Sequence, residues 1–209
     1  MTDEESDADS GDSGDSDSLD RLAERRGLDR EVYPPAEDSA LLAEAAVEVV
    51  QPGWRVLEVG TGSGIVAETV AEETGATVVA SDLNPHACRQ ARERGLDAVR
   101  GDLVDPFADD AFDAVLFNPP YLPTPEEAEW DDWMEEALSG GESGRKVVVP
   151  FVRTVRRVLA DDGVALLLVS SLTGIEEVEK LANEAGLDVD EVADEAFPYE
   201  RLVVLALRN

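Results

Sequence analysis

Arg55-Val56-Leu57-Glu58-Val59-Gly60-Thr61-Gly62-Ser63-Gly64 is the stretch whose reading decides the fold. Its first five residues form a largely apolar run of strand length, and residues 65–74 follow with the spacing of a helix. A strand that turns through glycines into a helix opens a βαβ unit, where the glycines let the chain turn tightly and let a ligand approach the backbone. The alternation continues outward. Strands are expected over 77–81, 97–100, 112–117, 164–170, 187–193 and 201–207, and helices over 85–94, 147–159 and 175–185. Upstream, an Ala/Leu/Val/Glu run to about Val50 predicts one more helix. Strands separated by single helices imply a mainly parallel sheet with helices on both faces. No helix separates the last two strands, so the last is expected to be antiparallel. The expected fold is α/β with seven strands.

The chain has 209 residues, enough for one such domain with a full core. Residues 1–18, Asp, Ser and Gly with almost nothing apolar, are expected to be a disordered acidic tail, and 19–209 a single domain. With one cysteine, Cys88, and one histidine, His86, an internal disulfide is excluded and no Cys/His metal site is expected. No stretch approaches the roughly 20 apolar residues of a membrane span, and no signal peptide is visible, so a cytoplasmic location is expected. Seventeen Lys and Arg stand against 48 Asp and Glu, a formal charge of −31, and only Lys146 and Lys180 are lysines. Acids spread along the whole chain point to a very salty cytoplasm, where self-repulsion is screened. A surface made for a basic partner is the other reading.

Asn118-Pro119-Pro120-Tyr121 directly follows the apolar strand 112–117. Two prolines fix φ twice and remove two N–H donors, and the first pushes Asn118 out of the α region. The resulting stiff corner carries free carbonyls and one amide side chain, acceptors that match the two N–H bonds of a planar –NH2 group. The glycine loop decides what acts on that group. Its third glycine comes one residue too early for a dinucleotide fingerprint, and no Lys follows it as a P-loop requires. An acid at Glu58 followed by Gly60-Thr61-Gly62-Ser63-Gly64 fits a pocket for S-adenosylmethionine. There Glu58 favours an ammonium or ordered waters, Asp82 accepts ribose hydroxyls, and Asp102 with Leu103 meets the adenine. These acids and Asn118 all fall at carboxyl ends of strands, the edge where open α/β sheets bind ligands. The long acidic segment 122–144, with Trp130, Trp133 and Met134 and ending in hinge glycines, is expected to be a substrate-side lid.

On these motifs the chain resembles the Rossmann-like class I S-adenosylmethionine methyltransferases over roughly residues 30 to 209. More narrowly it resembles the HemK-type protein-glutamine methyltransferases that modify the Gly-Gly-Gln loop of class I release factors, in their archaeal and eukaryotic branch. Val32-Tyr33-Pro34-Pro35-Ala36-Glu37-Asp38-Ser39, the Asn118–Tyr121 corner and Gly140-Gly141-Glu142-Ser143-Gly144-Arg145 carry that match. The resemblance implies Ser39, Glu58, Gly60, Asp82, Asp102, Leu103 and Asn118 as cofactor contacts, with Gly62 in the same loop, and Asn118, Pro119, Pro120 and Tyr121 as the holder of the acceptor glutamine. It also implies a small zinc-binding activator protein as partner, for which a strand at 97–100 on the sheet edge offers unpaired backbone groups. The same corner also fits methylation of an exocyclic amino group of adenine or guanine; a non-catalytic cofactor-binding scaffold is a further alternative, against which the intact corner argues.

Overall fold

The computed structural model describes Val32, residues 37–122 and residues 139–209, all within one compact unit, 31–209. The expected tail, the lead-in before Glu31, Tyr33–Ala36 and the lid tryptophans lie outside the described residues. Helix α1 (Glu37–Val49) precedes β1 (Arg55–Val59), α2 (Ile65–Thr74), β2 (Thr77–Asp82), α3 (Pro85–Glu93), β3 (Asp97–Arg100) and β4 (Phe112–Phe117). Then come α4 (Val148–Thr154, continued by a 3₁₀ turn at Val155–Arg157), β5 (Leu159–Ser170), α5 (Ile175–Glu184), β6 (Asp188–Ala196) and β7 (Arg201–Arg208). The seven strands form one sheet in the order β3-β2-β1-β4-β5-β7-β6. All neighbours are parallel except at β7, which runs antiparallel to β5 and β6. The expected fold class is borne out.

Strand period sorts the core into two layers. In β5, Val164, Leu166 and Leu168 join α1 and α2 on one face, while Ala165, Leu167 and Val169 join α4 and α5 on the other. All six are buried, as in a strand covered by helices on both sides. Three boundaries differ from expectation. Helix 147–159 ends at Arg157, because Leu159 pairs with Phe112 of β4 and a register shift between Phe112 and Ala114 absorbs the following Asp161-Asp162-Gly163. β6 extends to Ala196, because β7 pairs along its whole length and Arg201 binds Glu191 and Asp194. Helix α1 starts at Glu37, which places Ser39 in its first turn. No helix among the described residues is long and apolar enough to cross a membrane.

Because β1 and β4 are adjacent and order reverses between them, a crevice opens at their carboxyl ends.

Candidate active site

The crevice is lined by the glycine loop, the first turn of α1, the ends of β1, β2, β3 and β4, and Val147. The structure brings together there every site residue expected from sequence: Ser39, Glu58, Gly60, Gly62, Asp82, Asp102, Leu103, and Asn118 through Tyr121.

Glu58, next to last in β1, is buried beneath the loop. Its Oε2 accepts from Thr61 Oγ1 and from the Ala67 backbone N–H at 3.1 Å. Burial pushes its carboxyl up to about 8; Asp82 adds to the rise, and the two hydrogen bonds oppose it. Asp82 braces the loop from the next strand: Oδ2 accepts from Gly62 N–H at 2.9 Å and Oδ1 from Asn84 N–H at 2.8 Å. Asn84 then caps α3 by accepting from His86 N–H at 2.8 Å. Gly60 and Gly62 take φ of +62° and +51°, and a Cβ on Gly60 would stand 3.2 Å from the Phe117 ring. These two positions therefore require glycine. From below, Arg94 donates through Nε to Ser63 O at 2.7 Å and pairs with Glu68 of α2. Leu103 projects from a left-handed backbone, φ +44°, unusual for leucine and costing about 1–2 kcal/mol. Arg157 secures the segment after it, donating to Val104 O, Phe107 O and Asp109.

At the end of β4, Pro119 is buried and Asn118 and Tyr121 are half-buried. Asn118 Oδ1 is buried and has no hydrogen-bond partner among the described residues. A stranded carbonyl of this kind costs roughly 1–3 kcal/mol and marks a place where a donor belongs. The corner is backed by the 139–145 segment. Gly140 N–H donates to Leu122 O at 2.9 Å, Thr173 Oγ1 donates to Tyr121 O at 3.4 Å, and Arg145 reaches Thr173 O. A Cβ on Gly144 would stand 2.6 Å from Tyr121 O, and one on Gly140 2.5 Å from Gly144 Cα. In the structure these glycines let the segment pack directly behind the corner, where the sequence reading expected hinges.

Sequence reasoning missed Asp38 and Thr61. Asp38 is 4% exposed, lines the crevice, and accepts from Ser39 N–H at 2.6 Å. With Glu37, Glu44 and Glu48 on the same helix, nothing in the sequence set Asp38 apart. Asp38, Asp82 and Asp102 put three carboxylates on the crevice beside the Glu58 carboxyl, which burial holds protonated near neutral pH, and its described lining holds no Lys, Arg or His. Such a lining favours a cation and disfavours phosphates. The residues present thus fit a zwitterionic sulfonium nucleoside better than a dinucleotide or nucleoside triphosphate.

Comparison with known proteins gives the class first: a methyltransferase domain model matches residues 56–140. A putative protein N5-glutamine methyltransferase of Methanocaldococcus jannaschii is 35% identical over 85% of this chain and 92% of its own length. Human methyltransferase HEMK2 is 32% identical over 86% of this chain and 91% of its own. The solved E. cuniculi Mtq2–Trm112 complex, described as responsible for methylating the termination factor eRF1, matches with 29% identity and a TM-score of 0.72, covering 86% of this chain and 99% of that one. The chain belongs to the HemK-type protein N5-glutamine methyltransferases.

Proposed function

We propose that this chain methylates the side-chain amide nitrogen of the glutamine in the Gly-Gly-Gln loop of a class I release factor, using S-adenosyl-L-methionine. The observation that carries the reading is Asn118 Oδ1, a buried acceptor without a donor at the mouth of a crevice whose ionisable lining residues are all acids. Bound there, S-adenosylmethionine supplies a methyl group that leaves sulfur without the bonding pair and joins the acceptor nitrogen, whose proton passes to water. In this assignment Ser39, Glu58, Gly60, Gly62 and Asp82 hold the methionyl and ribose parts, and Asp102 and Leu103 hold the adenine. Asn118 Oδ1 and the Pro119 carbonyl accept the two N–H bonds of the acceptor amide, which aims its nitrogen into the crevice and favours positive charge on it. Pro120 keeps the corner stiff, and Tyr121 stacks on the amide plane.

Labelled cofactor offered to release factor, tRNA and DNA in parallel, with mass spectrometry of the product, tests the acceptor. Label on the Gly-Gly-Gln glutamine is expected; label on an adenine or guanine amino group instead would overturn the reading. Two exposed basic residues are tied within the protein and so withheld from a phosphate track: Arg157 is held by Asp109 and two carbonyls, and Arg201 by Glu191 and Asp194.

The same reading includes a small zinc-binding activator protein at β3, the sheet edge, where Leu83 beside it is 42% exposed. It also includes a cytoplasmic location and adaptation to salt. Melting in low and in molar KCl tests the last point: the melting temperature is expected to rise with salt, and equal or greater stability in low salt would end the halophile reading.

A further inference from the structure

The chemistry proposed above leaves a set of exposed apolar side chains unused. Of five large apolar side chains exposed among the described residues, Leu83, Leu122, Leu172 and Tyr199 lie at the carboxyl edge of the sheet. Leu83 follows β2 on the cofactor side. The other three stand beyond Asn118, on the side of β5. β4 ends at Phe117 opposite Leu167, whereas β5 continues to Ser170 opposite Leu202, and the β6–β7 turn lies further out. Three extra residues at about 3.3 Å each raise a wall about 10 Å above the end of β4.

This wall is a built feature. Ser170 Oγ donates to Glu200 at 2.7 Å and accepts from Leu172 N–H at 3.1 Å. Arg201 N–H donates to Ser171 Oγ at 3.0 Å, Ser171 N–H to Arg201 O at 2.8 Å, and Phe197 N–H to Glu200 O at 2.8 Å, which closes the turn. Thr173 ties the foot of the wall to Tyr121 O. On this braced turn Tyr199 is 94% exposed, with Leu172 at 47%. A braced turn needs little backbone ordering when a partner covers it, and exposed aromatic side chains are enriched among the residues that dominate interface energetics.

We propose that Leu122, Leu172 and Tyr199 form a docking wall for the polypeptide flanking the acceptor amide, with an apolar side chain of the acceptor protein laid across Leu172 and Tyr199. This rests on the reading that the acceptor is a protein-borne glutamine. Position fixes the occupant: the cofactor fills the β1–β2 side, so the acceptor reaches Asn118 from the β5 side and its flanking chain crosses the wall. Charge agrees. Glu195 and Glu200 flank the turn, and Arg201 there is held by Glu191 and Asp194, so a phosphate backbone finds no available cation among the described residues of the hairpin.

The test uses the full chain co-expressed with the zinc-binding activator, with a class I release factor as acceptor and Tyr199→Ala, Leu172→Ser, the double variant and Tyr199→Phe compared with wild type. The double variant is expected to raise KM for the release factor about tenfold, with kcat, cofactor Kd and activator binding unchanged. Tyr199→Phe is expected to keep the wild-type KM. An unchanged KM in the double variant overturns the wall while leaving the glutamine reading standing. So does a loss that falls on melting temperature, cofactor Kd or activator binding. A wild-type enzyme that leaves the release factor unmethylated overturns the glutamine reading itself, and the wall with it.

Discussion

The two halves of the crevice are finished to different degrees. On the β1–β2 side the polar groups are tied into the protein: Glu58 to Thr61 and Ala67, Asp82 to Gly62 and Asn84, Asn84 to His86. On the β4 side the backbone is held as firmly, by glycines packed against Tyr121, yet Asn118 Oδ1 is left without a donor. One half is wired for its own shape and offers charge to a ligand. The other holds a desolvated acceptor in place, whose hydrogen bonding, on the proposed function, is completed by the acceptor amide. The difference separates binding from chemistry, and substitutions on each side should fail differently.

The largest effect is expected from Asn118→Ala. It removes the acceptor of the substrate N–H, so turnover should fall about 10³-fold. Because the lost oxygen has no partner, thermal melts should show stability unchanged or raised by up to about 1 kcal/mol. Turnover within a few-fold of wild type would remove Asn118 from its assigned role. Gly144→Ala comes next. At φ +70° with a new Cβ 2.6 Å from Tyr121 O, it must displace the corner. Turnover should fall about 10²-fold and stability by about 2 kcal/mol, while cofactor affinity measured by calorimetry stays near wild type. Equal losses of affinity and turnover would erase the proposed division between the halves.

Glu58→Gln sharpens the other half through pH. The folded carboxyl sits near 8 against 4.5 in the unfolded chain, so folding favours its protonated form. Its stabilising contribution is therefore complete below 4.5 and declines as pH rises towards 8, by up to about 1.4 kcal/mol per pH unit. Gln keeps the neutral shape and the acceptor for Thr61. The melting temperature of wild type minus that of the variant should fall from pH 5 to pH 8; a flat difference would show that Glu58 is ionised throughout.

The sequence made the cofactor half legible because its signals are local. A strand, three glycines and an acid lie within ten residues, and Asp82 and Asp102 follow at successive strand ends. Asn118–Tyr121 was equally visible, since two prolines directly after a buried strand stiffen the chain where an ordinary loop has no need of it. What escaped depends on contacts between distant segments. Gly140 and Gly144 read as hinges until Gly144 was seen against Tyr121 and Gly140 against Gly144, and no periodicity records the first of these contacts. Asp38 looked like any acid of a very acidic chain until burial singled it out. The start of β5 was hidden because Leu159 becomes strand by pairing with Phe112, while its own neighbours carry a helical pattern. The acidic β6 gave too little apolar alternation to show its true length, which Arg201 and β7 define.

The carboxylates of Asp38, Asp82 and Asp102 in the crevice have a consequence for how the enzyme meets its medium. A crevice with these anions, and with no Lys, Arg or His among its described lining residues, shares them with the small cations of the solution. Potassium or sodium therefore acts as a weak competitor for the crevice. The same ions relieve the repulsion that a net charge of −31 places on the folded chain. On the proposed function, rising salt is expected to tighten the fold and loosen the ligand, so that the rate at a given cofactor concentration passes through a maximum where those opposing slopes cancel.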